Sequence, residues 1–335
     1  MATIHDVARK AGVAPITVSR VVNRNGYVSE EKRQRVEAAI LELNYIPNAL
    51  GPSLRSKRTQ TLAVVLSDLT NPFWTTVARG IEDTANQNGY HLIIGNTDES
   101  LEKQNDYLTF LMKKQVDGFL VVPASFSPLN LLTSRRIPFV VLDRWIPGET
   151  VDSVRCDSVG GAYQLTQYLL ELGHRQIGVI TGRQDHSTAI DRVAGARQAV
   201  EEAGLGESVL QVCWGEFTQA CGYDYTQQLL ETEPRPTAIF ATNNFIAIGV
   251  MRRLREHGLD VPGDMSVVAF DDLPTAITID PFFTVAAQPA YEMGQHATRL
   301  LLSRLNGDTT TAPQEIVLPI EMIVRKSSGI PPQHP

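Results

Sequence analysis

The sequence is poor in cysteine, in aromatic residues and in long apolar runs. Its 335 residues include three cysteines, Cys156, Cys213 and Cys221, and 7% are aromatic. No two cysteines form a Cys-X-X-Cys pair, so we expect free thiols in a reducing compartment. No apolar run approaches the roughly 20 residues of a membrane span, and the opening MATIHDVARK lacks the apolar stretch of a secretion signal. These absences predict a globular, cytoplasmic protein.

The common sequence motifs of enzymes are absent as well. There is no G-x-G-x-x-G after a strand, no G-x-x-x-x-G-K-[ST], no G-x-S-x-G and no H-E-x-x-H. The seven histidines have no spacing with cysteine or carboxylate residues that is typical of a metal site. We therefore predict a protein that is not an enzyme and that has no cofactor and no metal.

Charge is distributed unevenly along the chain, although the total is -7. Residues 1–60 hold ten Lys and Arg against five Asp and Glu, a net charge of +5. The remaining residues hold 20 against 32, a net charge of -12. A basic head on an acidic body is expected when only the head contacts phosphate groups.

The basic head has the periodicity of three short helices. The apolar residues of the first helix recur at helical spacing, at Ile4, Val7, Ala8 and Ala11. Thr3 and Asp6 form a capping box in front of it, and Gly12 is suited to end it. Pro15 is suited to open the second helix, and Ser29 to cap the third. Two helices joined by a tight turn, with a third completing the core, predict a helix-turn-helix.

The stretch TIHDVARKAGVAPITVSRVVNRNGYVSEEKRQRVEAAILELNYIPN resembles the DNA-binding head of the lactose-repressor/galactose-repressor (LacI/GalR) family. The resemblance implies that Ile16 and Arg20 read base edges, with Pro15 at the edge of the groove. Arg20 can pair with guanine O6 and N7, whereas Ile16 can contact only a thymine methyl group. The residues implied to contact the DNA backbone are Thr3, Thr17, Asn23, Tyr27 and Ser29. Asn48 ends the NYIPN motif and is included among the DNA-contacting residues.

Two departures from the family pattern affect the expected grip on DNA. Ala14 stands where the family usually has serine as the cap of the reading helix, and loss of a cap hydroxyl costs about 1 kcal/mol. Leu54 matches the leucine that, in the family, wedges into the minor groove from a hinge helix formed on DNA. Gly51 and Pro52 replace helix formers in that segment, so we predict a weakened or shifted hinge helix.

After residue 61, short buried strands alternate with helices. Strand-length apolar runs fall into two sets, Leu62–Leu66, Leu92–Gly95, Phe119–Val122 and Phe139–Leu142, and then Ile177–Ile180, Ala238–Ala241 and Val267–Phe270. The helical stretches between them are 74–88, 102–114, 158–172, 190–203, 218–231, 244–257 and 291–305. Such alternation is typical of parallel sheets with helices on both faces. Two sets predict two similar lobes.

The resemblance extends over residues 2–330 and implies a helix-turn-helix head joined to a two-lobed α/β sensor like a periplasmic sugar-binding protein. The predicted division is a DNA-binding domain at 1–46, a hinge at 47–60, and an effector-binding and dimerisation domain at 61–330. The N-terminal lobe comprises 61–157 and 289–318, and the C-terminal lobe comprises 158–288 and 319–330. We expect the chain to cross between the lobes near 158, 289 and 319.

Polar and aromatic residues recur at the carboxyl ends of the predicted strands, where open α/β sheets bind ligands. The predicted effector-binding residues are Asn71, Phe73, Trp74, Asp143, Arg144, Arg192, Phe217, Asn243, Asp271 and Gln288. Asp157 and Thr188 are secondary candidates, since purine-sensing family members use matching positions. Carboxylates, amides and guanidinium groups bind vicinal hydroxyls, and aromatic faces stack on a sugar ring. The resemblance to ribose-type binding proteins implies a monosaccharide or a close relative.

These features predict a transcriptional regulator, most simply a repressor of a carbohydrate-utilisation operon. We expect a homodimer on palindromic operator DNA, with effector binding changing the spacing of the two heads. Four alternatives stay open: a purine- or nucleoside-responsive regulator, a regulator governed by a protein partner, a transport-type sugar-binding protein, and an enzyme.

Overall fold

The computed structural model describes residues 2–23, 25–46, 58–273, 280–308 and 311–332. The chain divides into two compact units, residues 1–59 and 60–335. Among the described residues, no helix is long and apolar enough to cross a membrane. Asn48, Gly51, Pro52 and Leu54 lie outside the described residues.

The first unit contains three helices, α1 (Ile4–Ala11), α2 (Pro15–Val22) and α3 (Glu30–Glu42). The capping box that begins α1 is formed as predicted, with Thr3 and Asp6 bonded reciprocally, and Gly12 ends the helix with φ of 62°. Pro15 opens α2 behind Ala14, which provides no side-chain cap. The helices enclose a small apolar core, whose buried members are Val7, Ala8, Ala11, Val18, Val21, Val36 and Ala39.

The second unit contains two sheets covered by helices. Its helices are α4 (Pro72–Gln87), α5 (Leu101–Lys113), α6 (Asn130–Thr133), α7 (Ser158–Glu171), α8 (Ser187–Glu202), α9 (Gln219–Leu230), α10 (Asn244–Glu256) and α11 (Ala290–Leu305). Its strands are β1 (Thr61–Leu66), β2 (His91–Asn96), β3 (Gly118–Val121), β4 (Phe139–Leu142), β5 (Ser153–Cys156), β6 (Ile177–Thr181), β7 (Leu210–Trp214), β8 (Ala238–Ala241), β9 (Ser266–Phe270), β10 (Thr284–Ala287), β11 (Glu315–Leu318) and β12 (Glu321–Ile323).

The two sheets have matching strand orders. The first runs β11-β5-β4-β3-β1-β2 and the second β12-β10-β9-β8-β6-β7, so each strand of one has an equivalent in the other. All pairs are parallel except β10 with β12, which are antiparallel. The chain leaves the first sheet after Cys156, returns to the first lobe between Ala287 and Ala290, and leaves again between Leu318 and Glu321. Three connecting segments of the chain therefore join the two lobes.

The helices of each lobe pack closely because glycines face their neighbours. A Cβ atom on Gly80 of α4 would lie 2.1 Å from the carbonyl oxygen of Tyr291, and one on Gly294 of α11 would lie 2.2 Å from that of Val77. Gly195, on α8, stands equally close to Val159 of α7. A side chain at any of these positions would push the two helices apart. The close approach of the helix backbones therefore requires glycine at these crossings.

The seven predicted strands and seven predicted helices of this unit are confirmed, with ends that differ by up to three residues. Five strands were not predicted: β5, β7, β10, β11 and β12. They are short, and several carry polar residues, such as Arg155 in β5 and Glu315 in β11, which pair with each other across the ladder. Apolar runs alone do not reveal such strands.

Candidate functional sites: an interlobe cavity and an exposed helix

A cavity of about 430 Å³ lies between the two lobes, at the carboxyl ends of their strands. Its lining residues are Ser67, Asp68, Asn71, Phe73, Trp74, Asp98, Glu99, Asp143, Arg144, Arg183, Thr188, Arg192, Glu216, Phe217, Thr218, Asn243, Asp271 and Gln288. This is the position where open α/β sheets bind ligands, and the volume is in the range of small-molecule pockets.

Two aspartates occupy equivalent positions in the two lobes. Asp143 follows β4 with φ of 63°, and Asp271 follows β9 with φ of 68°. Both are buried, and burial raises the pKa of each, that of Asp143 to about 6. Asp271 accepts a hydrogen bond from Gln288 Nε2 at 2.5 Å, whereas Oδ1 of Asp143 has no partner among the described residues.

Arg192 places a buried positive charge near both aspartates. It projects from α8, and its positive charge opposes the rise in the pKa of Asp143 and Asp271. Its Nη1 donates to the carbonyl of Thr242 at 2.6 Å, and its guanidinium lies 3.8 Å from the ring centre of Phe270. Nε has no partner among the described residues. A buried donor and a buried acceptor of one cavity that both have no partner among the described residues are groups whose hydrogen bonds a polar ligand would complete.

Arg144 is engaged within its own lobe. Its two terminal nitrogens donate to the carboxylate of Glu99 at 2.7 and 2.6 Å, and Nη1 also donates to the carbonyl of Pro123 at 2.7 Å. Burial alone would raise the pKa of Glu99, but the Arg144 guanidinium outweighs it and holds that pKa below its usual range. The pair forms a charge-neutralised, doubly hydrogen-bonded part of the cavity wall.

Hydrogen bonds cross between the lobes beside the cavity. The amides of Asn71 and Asn244 each donate to the other's oxygen at 3.0 Å. Trp145 of the first lobe donates through its backbone N–H to Ser187 Oγ and through its indole to Asp191, both at 3.0 Å. These hydrogen bonds hold the two lobes together beside the cavity.

His186 also reaches across between the lobes. Its Nε2 lies 3.1 Å from the carbonyl oxygen of Ala124, and burial lowers its pKa to about 4, so the ring is neutral near pH 7. The ring stacks against Phe217 with centroids 6.0 Å apart. This contact helps to fix one aromatic wall of the cavity.

Aromatic rings line the cavity from both lobes. Phe73 and Trp74 open α4 and meet edge to face, with ring centroids 4.8 Å apart. Phe217 of the second lobe lies against Gly182, where an added Cβ atom would stand 2.5 Å from its ring. The cavity thus combines aromatic faces with hydrogen-bonding groups, as sugar sites do.

The charged lining is acidic. Six carboxylate residues, Asp68, Asp98, Glu99, Asp143, Glu216 and Asp271, face three guanidinium groups, Arg144, Arg183 and Arg192. Two of the three guanidinium groups are already paired, Arg144 with Glu99 and Arg183 with Asp185. Within the described parts of the chain, no three His, Cys, Asp or Glu residues are grouped so as to hold a metal ion.

In the first unit, α2 presents an exposed face. Pro15, Ile16 and Arg20 are exposed, and Ile16 keeps 60% of its surface accessible although it is apolar. Tyr27, in the loop before α3, is 88% exposed. Exposed apolar and aromatic side chains beside an arginine, on a basic unit, are typical of a surface that contacts another molecule.

Comparison with known proteins identifies both units. Residues 3–48 match the lacI family of bacterial regulatory proteins, and residues 166–328 match the periplasmic binding protein-like domain. The PurR transcriptional repressor of Haemophilus influenzae (strain PittEE) is 36% identical over 332 residues, which are 98% of each chain. The chain belongs to the LacI family. It is a DNA-binding transcriptional regulator and not an enzyme.

Solved structures of LacI-family proteins resemble the whole chain. The lac repressor dimer bound to operator and the anti-inducer ONPF is 28% identical, with a TM-score of 0.84. The aligned region covers 98% of this chain and 99% of the lac repressor chain. The regulator CelR in complex with cellobiose is 34% identical, with a TM-score of 0.74, covering 98% and 100%. LacI-family regulators bind operator DNA and small-molecule effectors and act as dimers, and this chain shares that organisation.

Eleven of the twelve predicted effector residues of this LacI-family regulator line the cavity. The exception is Asp157, which is exposed and accepts a hydrogen bond from Gly160 N at 2.8 Å as the cap of α7. Within the cavity, Asn71 and Asn243 also cap helices, accepting from Phe73 N and Ile246 N. Arg144 directs both terminal nitrogens to Glu99. The hydrogen bonds of these polar groups are thus largely formed within the protein. The groups fix the shape of the cavity more than they offer donors and acceptors to a ligand.

The predicted DNA-contacting residues differ in how free their side chains are. Thr3 Oγ1 donates to Asp6 and accepts from Asp6 N, and Asn23 donates to the carbonyl of Ser19. Thr17 is half-buried, and Ser29 precedes α3 without a side-chain capping bond. Asn48 and Leu54 lie outside the described residues.

Sequence reasoning missed several lining residues of the cavity, namely Ser67, Asp68, Asp98, Glu99, Glu216 and Thr218. Asp68, Asp98 and Glu99 follow the ends of β1 and β2, so a systematic search of every strand end would have found them. The pairing of Glu99 with Arg144, 45 positions away, has no local sequence signal.

Proposed function

We propose that this protein is a repressor of a carbohydrate-utilisation operon, and that a neutral sugar held in the interlobe cavity controls its grip on operator DNA. The observation that carries the proposal is the cavity itself, whose lining combines aromatic rings from both lobes with polar atoms of Asp143, Arg192 and Gln288 that have no partner in the described parts of the chain. Such a lining suits a polyhydroxylated ring. Because a bacterial transcriptional regulator meets DNA in the cytoplasm, we propose that the protein is located there.

Charge favours a neutral effector over a phosphorylated one. The lining carries twice as many carboxylate residues as guanidinium groups, and Arg192 is the guanidinium group among them for which no ion pair is formed within the described residues. A phosphate group would meet uncompensated negative charge in a buried site, which is costly. Hydroxyl groups, in contrast, can donate to the carboxylates and accept from Arg192.

The relatives support two effector classes. CelR, which resembles the whole chain, was solved with cellobiose, and this favours a sugar. The relative PurR, 36% identical, favours the purine-responsive alternative. The acidic lining and the hydrogen-bonding carboxylates lead us to prefer the sugar, with the purine as the second candidate.

A ligand screen on the full chain tests this choice. Thermal shift and calorimetry would be run with neutral sugars, sugar phosphates, sugar acids, nucleobases and nucleosides. We expect a neutral sugar to stabilise the protein, and the shift to be lost in Asp271→Ala and Arg192→Ala but kept in Arg197→Ala, whose side chain is exposed on the same helix as Arg192. Binding of a nucleobase and of no sugar would overturn the sugar proposal.

For the DNA-binding unit, we propose that Arg20 and Ile16 read base edges, while Thr3, Thr17, Asn23, Tyr27 and Ser29 contact the backbone. A binding-site selection on random duplexes would define the palindrome. Arg20→Ala should reduce the preference for it over random DNA by about 1–3 kcal/mol. Arg9→Ala, also exposed and of the same charge, should leave base preference unchanged and alter only the salt dependence.

The hinge segment allows a separate test. We propose that Gly51 and Pro52 weaken helix formation in the segment that carries Leu54. The double variant that combines Gly51→Ala with Pro52→Arg should tighten operator binding at least tenfold, because Gly costs about 1 kcal/mol and Pro about 3 kcal/mol in a helix. Unchanged affinity in a gel-shift titration would refute this proposal.

A further inference from the structure

We propose that Gly182 is a positioning residue for effector binding, because it lets the Phe217 ring lie back from the interlobe cavity and so keeps room for an effector. Gly182 is buried directly after β6 and is not among the lining residues of the cavity, whereas Phe217 is one of them. Gly182 therefore acts on an effector through the ring of Phe217. This inference rests on the proposed binding of an effector in that cavity.

The contact between Gly182 and the Phe217 ring leaves no room for a side chain. A Cβ atom added to Gly182 would lie 2.5, 2.7 and 2.8 Å from the ring atoms Cε2, Cζ and Cδ2 of Phe217. Carbon atoms in favourable contact are about 3.5–4.0 Å apart, so the ring would have to move by about 1 Å. Gly182 does not have a positive φ, so the close contact and not the backbone conformation requires glycine here.

The backbone on both sides of this contact is held by hydrogen bonds. The N–H of Gly215 donates to the carbonyl of Thr181 at 2.9 Å, which ties the strand that ends before Gly182 to the segment that leads to Phe217. The side chain of Asn243 donates to the carbonyl of Phe217 at 3.3 Å. Because the two backbones are tied together, the ring itself would have to move if a side chain were added to Gly182.

The neighbours of the Phe217 ring restrict where it can go. The ring of His186 lies nearly parallel to it, with centroids 6.0 Å apart, and is held by the carbonyl of Ala124. The guanidinium of Arg192 lies 5.9 Å from the ring centre and is held by the carbonyl of Thr242. Because these neighbours are fixed and Phe217 lines the cavity, a displaced ring moves into the space that an effector would occupy.

The first lobe has a different residue at the corresponding strand end. Strands β1 and β6 occupy the same place in the strand orders of the two sheets. Ser67 follows β1 as Gly182 follows β6, and Ser67 lines the cavity itself. At this point the first lobe presents a side chain to the cavity, whereas the second lobe presents the ring of Phe217 above a glycine. The requirement for glycine is thus a property of the second lobe.

The crystal structure of Gly182→Ala, compared with that of the wild type, tests the ring position without any ligand. We expect the Phe217 ring to move toward the cavity by about 1 Å. Gly178→Ala is the matched control, because Gly178 is also buried in β6 and an added Cβ atom would lie 2.6 Å from Leu229, which does not line the cavity. This control should leave the ring in place. An unmoved ring in Gly182→Ala would overturn the inference.

Calorimetry on the full chain tests the effect on binding. The probes are glucose, galactose, xylose, adenine, guanine and hypoxanthine. We expect the probe that the wild type binds most tightly to lose at least about tenfold in affinity in Gly182→Ala, and less than twofold in Gly178→Ala. If only a purine binds, the sugar proposal is wrong and that purine tests Gly182. If no probe binds, the sugar proposal is wrong and the ring position in the crystals decides the inference.

A double-mutant cycle shows whether Gly182 acts through the ring. Phe217→Ala removes the ring, so adding Gly182→Ala to that variant should change the affinity by less than twofold. A merely structural role of Gly182 would give the same loss with and without the ring, and that result would contradict the inference.

Discussion

The two lobes place an aspartate at the same point of the same topology, yet the two side chains are in different states. Asp143 and Asp271 follow equivalent strands, β4 and β9, and both adopt left-handed backbone geometry, which aspartate tolerates better than most residues. Asp271 is bonded to Gln288, at a crossing between the lobes. Asp143 keeps an oxygen without a partner among the described residues.

This difference indicates that the aspartates of the two lobes have different roles. The second-lobe aspartate is hydrogen-bonded to Gln288 in a segment that connects the lobes, whereas Oδ1 of the first-lobe aspartate has no partner among the described residues and is available to a ligand. Arg192 faces both and is the positive charge they share. Duplicated lobes thus supply symmetric positions, and their neighbours make the positions unequal.

Removal of the shared charge should have the largest effect. Arg192→Met would remove the positive charge that the two buried carboxylates share, so we expect the affinity for the effector to fall about 30-fold or more, since truncating a buried charged group costs about 2–5 kcal/mol or more. Titration calorimetry measures it. Arg197→Met on the exposed face of α8 is the control, and a similar loss there would mean that helix charge and not the site is responsible.

Truncation of the aspartates should separate binding from stability. Asp143→Ala and Asp271→Ala should each weaken effector binding about 10- to 100-fold, because hydrogen bonds to charged groups contribute about 1.5–3 kcal/mol. Only Asp271→Ala should also lower the melting temperature, since it leaves Gln288 without its partner. Equal losses of melting temperature in both variants would remove the distinction between the lobes.

The pH dependence of the free energy of unfolding should reveal the titration of Asp143. Burial raises the pKa of Asp143 to about 6 from 3.8, so the folded protein binds more protons than the unfolded chain between these values. Its contribution to the free energy of unfolding therefore falls as pH rises from about 4 to 6, by on the order of 2–3 kcal/mol. Denaturant unfolding of the wild type and Asp143→Asn measures this: the difference between them should grow over that window in favour of the variant, and be constant above it.

The smallest effect is expected outside the pair. Asp157 was predicted to bind effector but caps α7 from an exposed position. Asp157→Ala should lower the free energy of unfolding by about 1 kcal/mol, the typical value of a helix cap, and leave effector affinity unchanged. A clear loss of affinity would mean that Asp157 approaches the ligand in another arrangement of the lobes.

The features that the sequence predicted well are those that are determined by residues close together in the chain. Thr3, Asp6, Gly12 and Pro15 define helix ends by their own chemistry, and the structure has them in those roles. The cavity lining was predicted largely because strand ends converge in a parallel sheet. What a lining side chain bonds to was not predicted.

Those missed bonds depend on distant residues. Nothing in the sequence around Asn244 indicates a partner for its side chain. In the structure it pairs with Asn71, 173 positions away, an arrangement that two amides satisfy and an amide with a carboxylate would satisfy less completely. Strand β7 was missed for a related reason, since its five residues are all half-buried at a sheet edge.

The amide pair of Asn71 and Asn244 has a consequence for how the protein reads its surroundings. Neither group titrates or carries net charge, so this clasp is indifferent to the ionic strength of the cell, whereas any grip on phosphates weakens steeply as salt rises. A rise in ionic strength would then weaken the contact with DNA without weakening this amide pair. The regulator would then respond to its small-molecule effector and to salt through different parts of one chain.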